Sequence, residues 1–213
     1  MFPRKGLTMP SPKKAKLLAC ARHLFETEGF HTTGIDRILD EAGVAKMTLY
    51  NNFGSKDMLI VAVLNDASSD MINQLQDAIA HINDPYEQIL GVFDALADWH
   101  SSDKFCGCMF QAAAAEFPDS NSAPAIAARE HLLRLHTLFQ EMCQRAELNS
   151  PEVLGSMLSM LASGANCTAR QIRTRVPADQ ARQIAEILLE RACARPGQAT
   201  HPIAPASRTE SVF

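Results

Sequence analysis

Apolar residues along this chain recur at intervals of three and four, and no run of strand length alternates β-branched and polar residues. Leu17, Ala21, Leu24 and Phe25 stand at i, i+4, i+7 and i+8, one buried stripe on a first helix that starts at Ser11-Pro12 and runs to about Glu28. Ser11 offers a capping hydroxyl, Pro12 fills a position that needs no donor, and Gly29 ends the helix. Thr33 and Asp36 have the spacing of a capping box, which predicts a second helix over Ile35–Ala42. Gly43 supplies a tight turn, and a short third helix follows from Lys46 to about Asn52, stopped at Gly54-Ser55. Ser55 then caps a fourth helix from Lys56 to Ile82, with Asp57 in the first turn, where the helix dipole favours an acid. Further helices are expected near 85–101, 108–116, 122–147, 151–172 and 177–194, punctuated by Pro85, Gly107, Pro118, Pro151 and Pro177. The pattern predicts an all-α fold of about nine helices. Residues 1–10 read as a flexible N-terminus, and residues 195–213, with Pro196, Gly197, Pro202 and Pro205, as a disordered tail.

Composition narrows the class. Of 213 residues, 46% are hydrophobic and 21% charged, enough for a sizeable core, and no stretch approaches the roughly 18 to 20 apolar residues of a membrane-spanning helix. The basic start MFPRKGLTMPSPKK is not followed by an apolar segment of the kind a secretory signal carries. A soluble, cytoplasmic protein with no membrane partner is expected. The net charge of -4 conceals an asymmetry: residues 1–56 hold nine Lys and Arg against five Asp and Glu, and the rest hold eleven against nineteen. A basic end on an acidic body suits a polyanion at that end. No phosphate-binding glycine loop, nucleophile elbow or HExxH motif is present, so an enzyme is not expected. The six cysteines stand singly except for Cys106 and Cys108, and read as reduced thiols. One-residue spacing is less diagnostic than that of zinc sites, and no close Cys/His pair completes a tetrahedron, although His100 is near in sequence. No metal or cofactor is expected, and redox or metal sensing through Cys106 and Cys108 is the alternative function.

Two short helices joined by a tight turn are helix-turn-helix geometry. The segment Phe25 to Leu64, FETEGFHTTGIDRILDEAGVAKMTLYNNFGSKDMLIVAVL, resembles the DNA-binding domain of the TetR family of transcriptional regulators: GF, TT, Ile35 and Ile38 on one helix, AGV, TLY, F, SK and a leucine recur in order and spacing. The resemblance covers roughly residues 11–71, with the helix-turn-helix at about 34–53. Residues 72–194 are similar only in length and helical content, and would form a regulatory domain for ligand binding and dimerisation. What the resemblance implies is a homodimeric repressor that binds a pseudo-palindromic site on double-stranded DNA and is released by a small, mainly apolar effector.

Within the segment, Ile35, Ile38, Leu39, Ala42, Val44, Leu49 and Phe53 are the apolar positions that lock the third helix in place. Thr32, Thr33, Tyr50 and Lys56 are candidate phosphate contacts near helix N-termini, Thr33 and Tyr50 having the alternative roles of cap and packing residue. Lys46, Met47, Thr48, Asn51 and Asn52 are candidates for base readout. Ala45 stands where a serine or threonine often caps the third helix, a loss of around 1 kcal/mol, and Met47 replaces a small residue.

Downstream, Phe93, Trp99, Phe105, Met109, Phe110, Phe139, Met142 and Met160, with Phe117 and Met157, could surround an apolar cavity or simply fill a helix-bundle core. Glu116, His136 and Asn166 are polar residues on apolar segments that could orient a ligand. The stretch FCGCMFQAAAAEFPD, Phe105 to Asp119, looks similar to one found in a branch of the same family. For dimerisation, Leu154, Met157, Leu158 and Leu161 offer an apolar face, Gly155, Ser159, Ala162 and Gly164 permit close approach, and Ile184, Leu188 and Ala192 continue the pattern.

Overall fold

The computed structural model describes residues 12–103 and 105–193. The expectations for the N-terminus, for Ser11 as a cap and for the tail lie outside them. The described residues are all-α: α1 Pro12–Glu28, α2 Ile35–Ala42, α3 Lys46–Phe53, α4 Lys56–Ile79, α5 Pro85–His100, α6 Met109–Glu116, α7 Ala123–Arg145, α8 Pro151–Ile172 and α9 Val176–Cys193. None is long and apolar enough to cross a membrane. α4 ends three residues earlier than its pattern suggested, because the N–H groups of Ala80 and Ile82 turn back to the carbonyls of Asp77 and Ile79. The next helix then begins with Asp84 accepting from the Tyr86 N–H and Pro85 in the first turn.

The chain divides into two compact units, and the division differs from the expected boundary near residue 71. Among the described residues, the first unit joins 12–70 with 109–131; the second joins 71–103 and 105–108 with 132–193. α6 and the first part of α7 therefore pack with the helix-turn-helix, for reasons of long-range contact that no local pattern carries. Phe117 sets its ring edge-on to Phe30, centroids 5.9 Å apart. Phe110 stacks on His131 at 3.5 Å, and His131 Nδ1 meets Ser68 Oγ at 2.9 Å. Arg22 ties α1 to α4 through Asp66 and Asp70. The core of this unit includes Leu17, Leu24, Phe25, Phe30, Ile38, Leu49, Leu59 and Leu64, all nearly inaccessible.

In the second unit α5 packs against α8 and α9. Phe93 and Phe139 stack in its core, centroids 5.7 Å apart, with Met142 also fully buried. Three of the small residues expected to permit close approach, Gly155, Ser159 and Ala162, are buried within the chain. A Cβ on Gly155 would lie 2.8 Å from the Gln140 backbone nitrogen of α7, and Leu154, Leu158, Ser159, Ala162 and, on α9, Ala192 are buried. This corrects the expectation that they serve dimerisation: one face of α8 was read where there are two. The outer face keeps Met160, 66% exposed, with Ile184 and Ile187 of α9 about half exposed, and Gly164 open.

Candidate nucleic-acid interface

The turn between α2 and α3 follows from Gly43, whose left-handed φ of +60° lets its own N–H reach Asp40 O while the Val44 N–H reaches Leu39 O. Leu49 is fully buried under α3, and Ile38, Leu39 and Ala42 of α2 are buried with it. Fixing Leu49 inward turns Lys46, Met47, Tyr50 and Asn51 outward; at i, i+1, i+4 and i+5 they form one exposed face. Met47 is 67% and Tyr50 41% exposed, so Tyr50 is not a packing residue in the core. Thr48 is half-buried, and Asn52 donates its amide to Thr48 O at 2.7 Å, which spends part of its hydrogen-bonding capacity within the helix. Lys46 Nζ stands 3.7 Å from Asp36, an exposed pair of little strength. Ala45 is the N-cap of α3 and makes no side-chain cap bond, as its sequence implies.

Beside α3, Ser55 Oγ accepts the Met58 N–H and starts α4. Lys56 is half-buried there and donates to His31 O at 3.5 Å. Burial pushes its ammonium below the usual lysine range, against the pull of Asp57 and Glu116.

The α1–α2 turn holds two findings that the sequence reading missed. Thr33 is fully buried, and its hydroxyl donates to Gly29 O at 2.7 Å. The N-cap of α2 is Gly34, which makes no side-chain bond. Thr33 is thus neither a capping-box residue nor an accessible phosphate contact, because its Oγ1 faces back into the turn; Thr32 beside it is exposed. The second is Glu116, expected to orient a ligand. Its carboxylate accepts the N–H groups of Phe30 at 3.1 Å and His31 at 2.7 Å, and lies 3.1 Å from His31 Nδ1. Burial acts to raise its pKa, but these bonds prevail and hold it below the usual carboxylate range. One signal was available: Glu116 is an acid in the last turn of α6, where the helix dipole disfavours it, so a partner outside the helix was to be sought.

The remaining pocket candidates separate. Met109 and Phe110 belong to the first unit with Glu116, whereas Phe93, Phe139 and Met142 fill the core of the second. Met160 is on the surface, and His136 is half-buried on α7. Trp99 and Phe105 meet edge to face at 4.8 Å beside His100, which was weighed only for metal binding. His100 Nε2 lies 2.8 Å from Asn166 Oδ1, both residues are buried, and His100 Nδ1 has no partner. Burial pushes its pKa below the usual histidine range. The sensing alternative gains no support: Cys106 is exposed and Cys108 buried, and among the described residues no three His, Cys, Asp or Glu side chains come together to hold a metal.

Known proteins extend this picture. Residues 17–63 match the family described as bacterial regulatory proteins, tetR family. The HTH-type transcriptional activator FasR of Mycolicibacterium smegmatis is 31% identical over 101 residues, 47% of this chain and 46% of that protein. The HTH-type transcriptional regulator LmrA of Bacillus subtilis is 31% identical over 77 residues, 36% and 41% of the two chains. The chain thus spans less than half the length of these curated relatives. Among solved structures, a TetR-family transcriptional regulator from Streptomyces coelicolor superposes with a TM-score of 0.78 at 29% identity, over 85% of this chain and 96% of that one. With the helix-turn-helix and its exposed third helix, the chain carries a segment of the tetR family of bacterial regulatory proteins over residues 17–63, and it is similar to a TetR-family transcriptional regulator along most of its length.

Proposed function

We propose that this protein is a cytoplasmic, homodimeric repressor that binds a pseudo-palindromic site on double-stranded DNA through α3 and is released from it by a small, mainly apolar effector. The observation that carries the reading is the outward face of α3, where Lys46, Met47, Tyr50 and Asn51 stand together over a buried Leu49. A helix this short, anchored by one leucine, has little reason to expose a tyrosine and a methionine except to meet a partner. Lys46 and Tyr50 supply phosphate contacts, Asn51 can pair with an adenine edge, and Met47 can pack on a thymine methyl. Thr32 and Lys56 add phosphate contacts to either side.

Dimerisation through α8 and α9 is supported by their outer face, where Met157, Met160, Leu161, Gly164, Ile184 and Leu188 line a groove of ≈ 390 Å³. Two recognition helices related by a twofold axis then call for half-sites spaced by about one helical turn. Effector binding is supported in the second unit by His100, Asn166, Trp99 and Phe105, an unpartnered buried acceptor among aromatic rings, suited to a flat apolar molecule with one hydrogen-bond donor. Release requires that the effector bind one conformation of the dimer better than the other.

The test is selection of bound fragments from genomic DNA, followed by salt titration on the best site. A palindromic site with a steep salt slope is expected. Lys56→Ala should lower that slope by about 1, and Tyr50→Ala should weaken binding. Binding that is weak and blind to sequence at physiological salt would refute the proposal.

A further inference from the structure

The turn between α1 and α2 is held from a helix far along the chain. It opens at Gly29, whose φ of +89° aims the next two N–H groups the same way, and both end on the Glu116 carboxylate. Successive backbone N–H groups converging on one anion form a nest, and bonds to a charged acceptor are the stronger kind. The fit is close: a Cβ on Gly29 would lie 3.1 Å from Glu116 Oε1. Phe117, the next residue, packs its ring against both Phe30 and His31. At the other end of the turn, Gly29 O accepts the N–H and the hydroxyl of Thr33. The turn is therefore closed at both ends, with Thr32 exposed on it and Gly34 passing straight into α2. Lys56 is fastened to it as well, through His31 O.

We propose that Glu116 is a positioning residue for DNA binding: its carboxylate sets the Gly29–Thr33 turn so that Thr32, the first turn of α2 and Lys56 are presented to the phosphates together. The proposal rests on the DNA-binding reading above. It makes the DNA-binding unit discontinuous in sequence, since α6 supplies the anion that closes the turn.

Glu116→Gln keeps shape and removes the charge. At a temperature where the variant is folded by circular dichroism, its affinity for the selected site should fall by about tenfold, in line with the loss of one charge-assisted hydrogen bond. Binding to unrelated DNA should fall by a similar factor, because contacts to phosphates carry no sequence information. Glu116→Asp, charged but one methylene short, should fall in between. A purely structural glutamate would lower the melting temperature and leave the affinity of the folded protein unchanged. In the wild type, exchange of the Phe30 and His31 amides at open-loop rates overturns the proposal as well. Glu116→Gln with wild-type affinity overturns it too, while leaving the DNA reading intact. A wild type that shows no site preference overturns both.

Discussion

Gly155 offers a sharp test of how α8 is used. An ideal Cβ there would lie 2.8 Å from Gln140 N, 2.9 Å from its Cα and 3.0 Å from its Cβ, whereas unstrained contacts between carbons fall at roughly 3.5 to 4.0 Å. The colliding atoms belong mainly to the backbone of Gln140, in the C-terminal part of α7, so no side-chain rotation relieves them, and the two helices must separate. Overpacking of this kind costs about 1 to 3 kcal/mol, and the better helix propensity of alanine returns about 0.5 to 1 kcal/mol. Gly155→Ala should therefore lose about 1 to 2 kcal/mol. At roughly 2 to 4 °C per kcal/mol for a chain of this size, the melting temperature should fall by about 2 to 8 °C. Gly164 is the control, because nothing lies within 4 Å of its Cβ position and it faces outward. The assays are thermal and urea unfolding by circular dichroism, with sedimentation to measure dimer dissociation. Gly155→Ala should lower stability with the dimer dissociation constant near wild type, whereas Gly164→Ala should act chiefly on association. A Gly155→Ala protein as stable as wild type, or one impaired only in association, would show that the reasoning about α7 is wrong.

Two further outcomes follow from buried polar groups. Thr33→Val should cost about 1 kcal/mol through loss of the bond to Gly29 O, whereas Thr32→Ala, on the exposed side of the same turn, should leave stability unchanged and weaken DNA binding; equal stability losses in denaturant titrations would refute that division. His100 is neutral in its buried site and its folded pKa is depressed, so below the ordinary histidine range near 6.5 the unfolded chain binds the extra proton and the native state does not. Stability should then decline as pH falls from 7 towards 5, and His100→Gln should flatten that part of the profile measured by urea unfolding; parallel profiles would count against the assignment.

The legible part of this protein was its local part. Helical periodicity, Gly29 and Gly43 in left-handed turns, Ser55 as a cap and Pro85 and Pro151 in first turns placed the helices within a few residues, because each signal acts over one or two turns of chain. The outward face of α3 was readable for the same reason: once Leu49 is inside, the geometry of the helix decides where Lys46, Met47, Tyr50 and Asn51 point. Tertiary structure decided what local chemistry leaves open. A threonine three residues before an acid can cap a helix or turn its hydroxyl to a carbonyl, and the buried Thr33 hydroxyl turned back to Gly29 O at 2.7 Å, with Leu24 O at 3.4 Å. An apolar stripe on α8 states that a face will be covered but not by what, and α7 covers Gly155 while the face of Met160 stays open. Glu116 stands 85 residues from His31, and no pattern within a helix announces the partner of a carboxylate. That pairing exists because folding brings two backbone N–H groups, which need an acceptor, to a carboxylate that its own helix end disfavours.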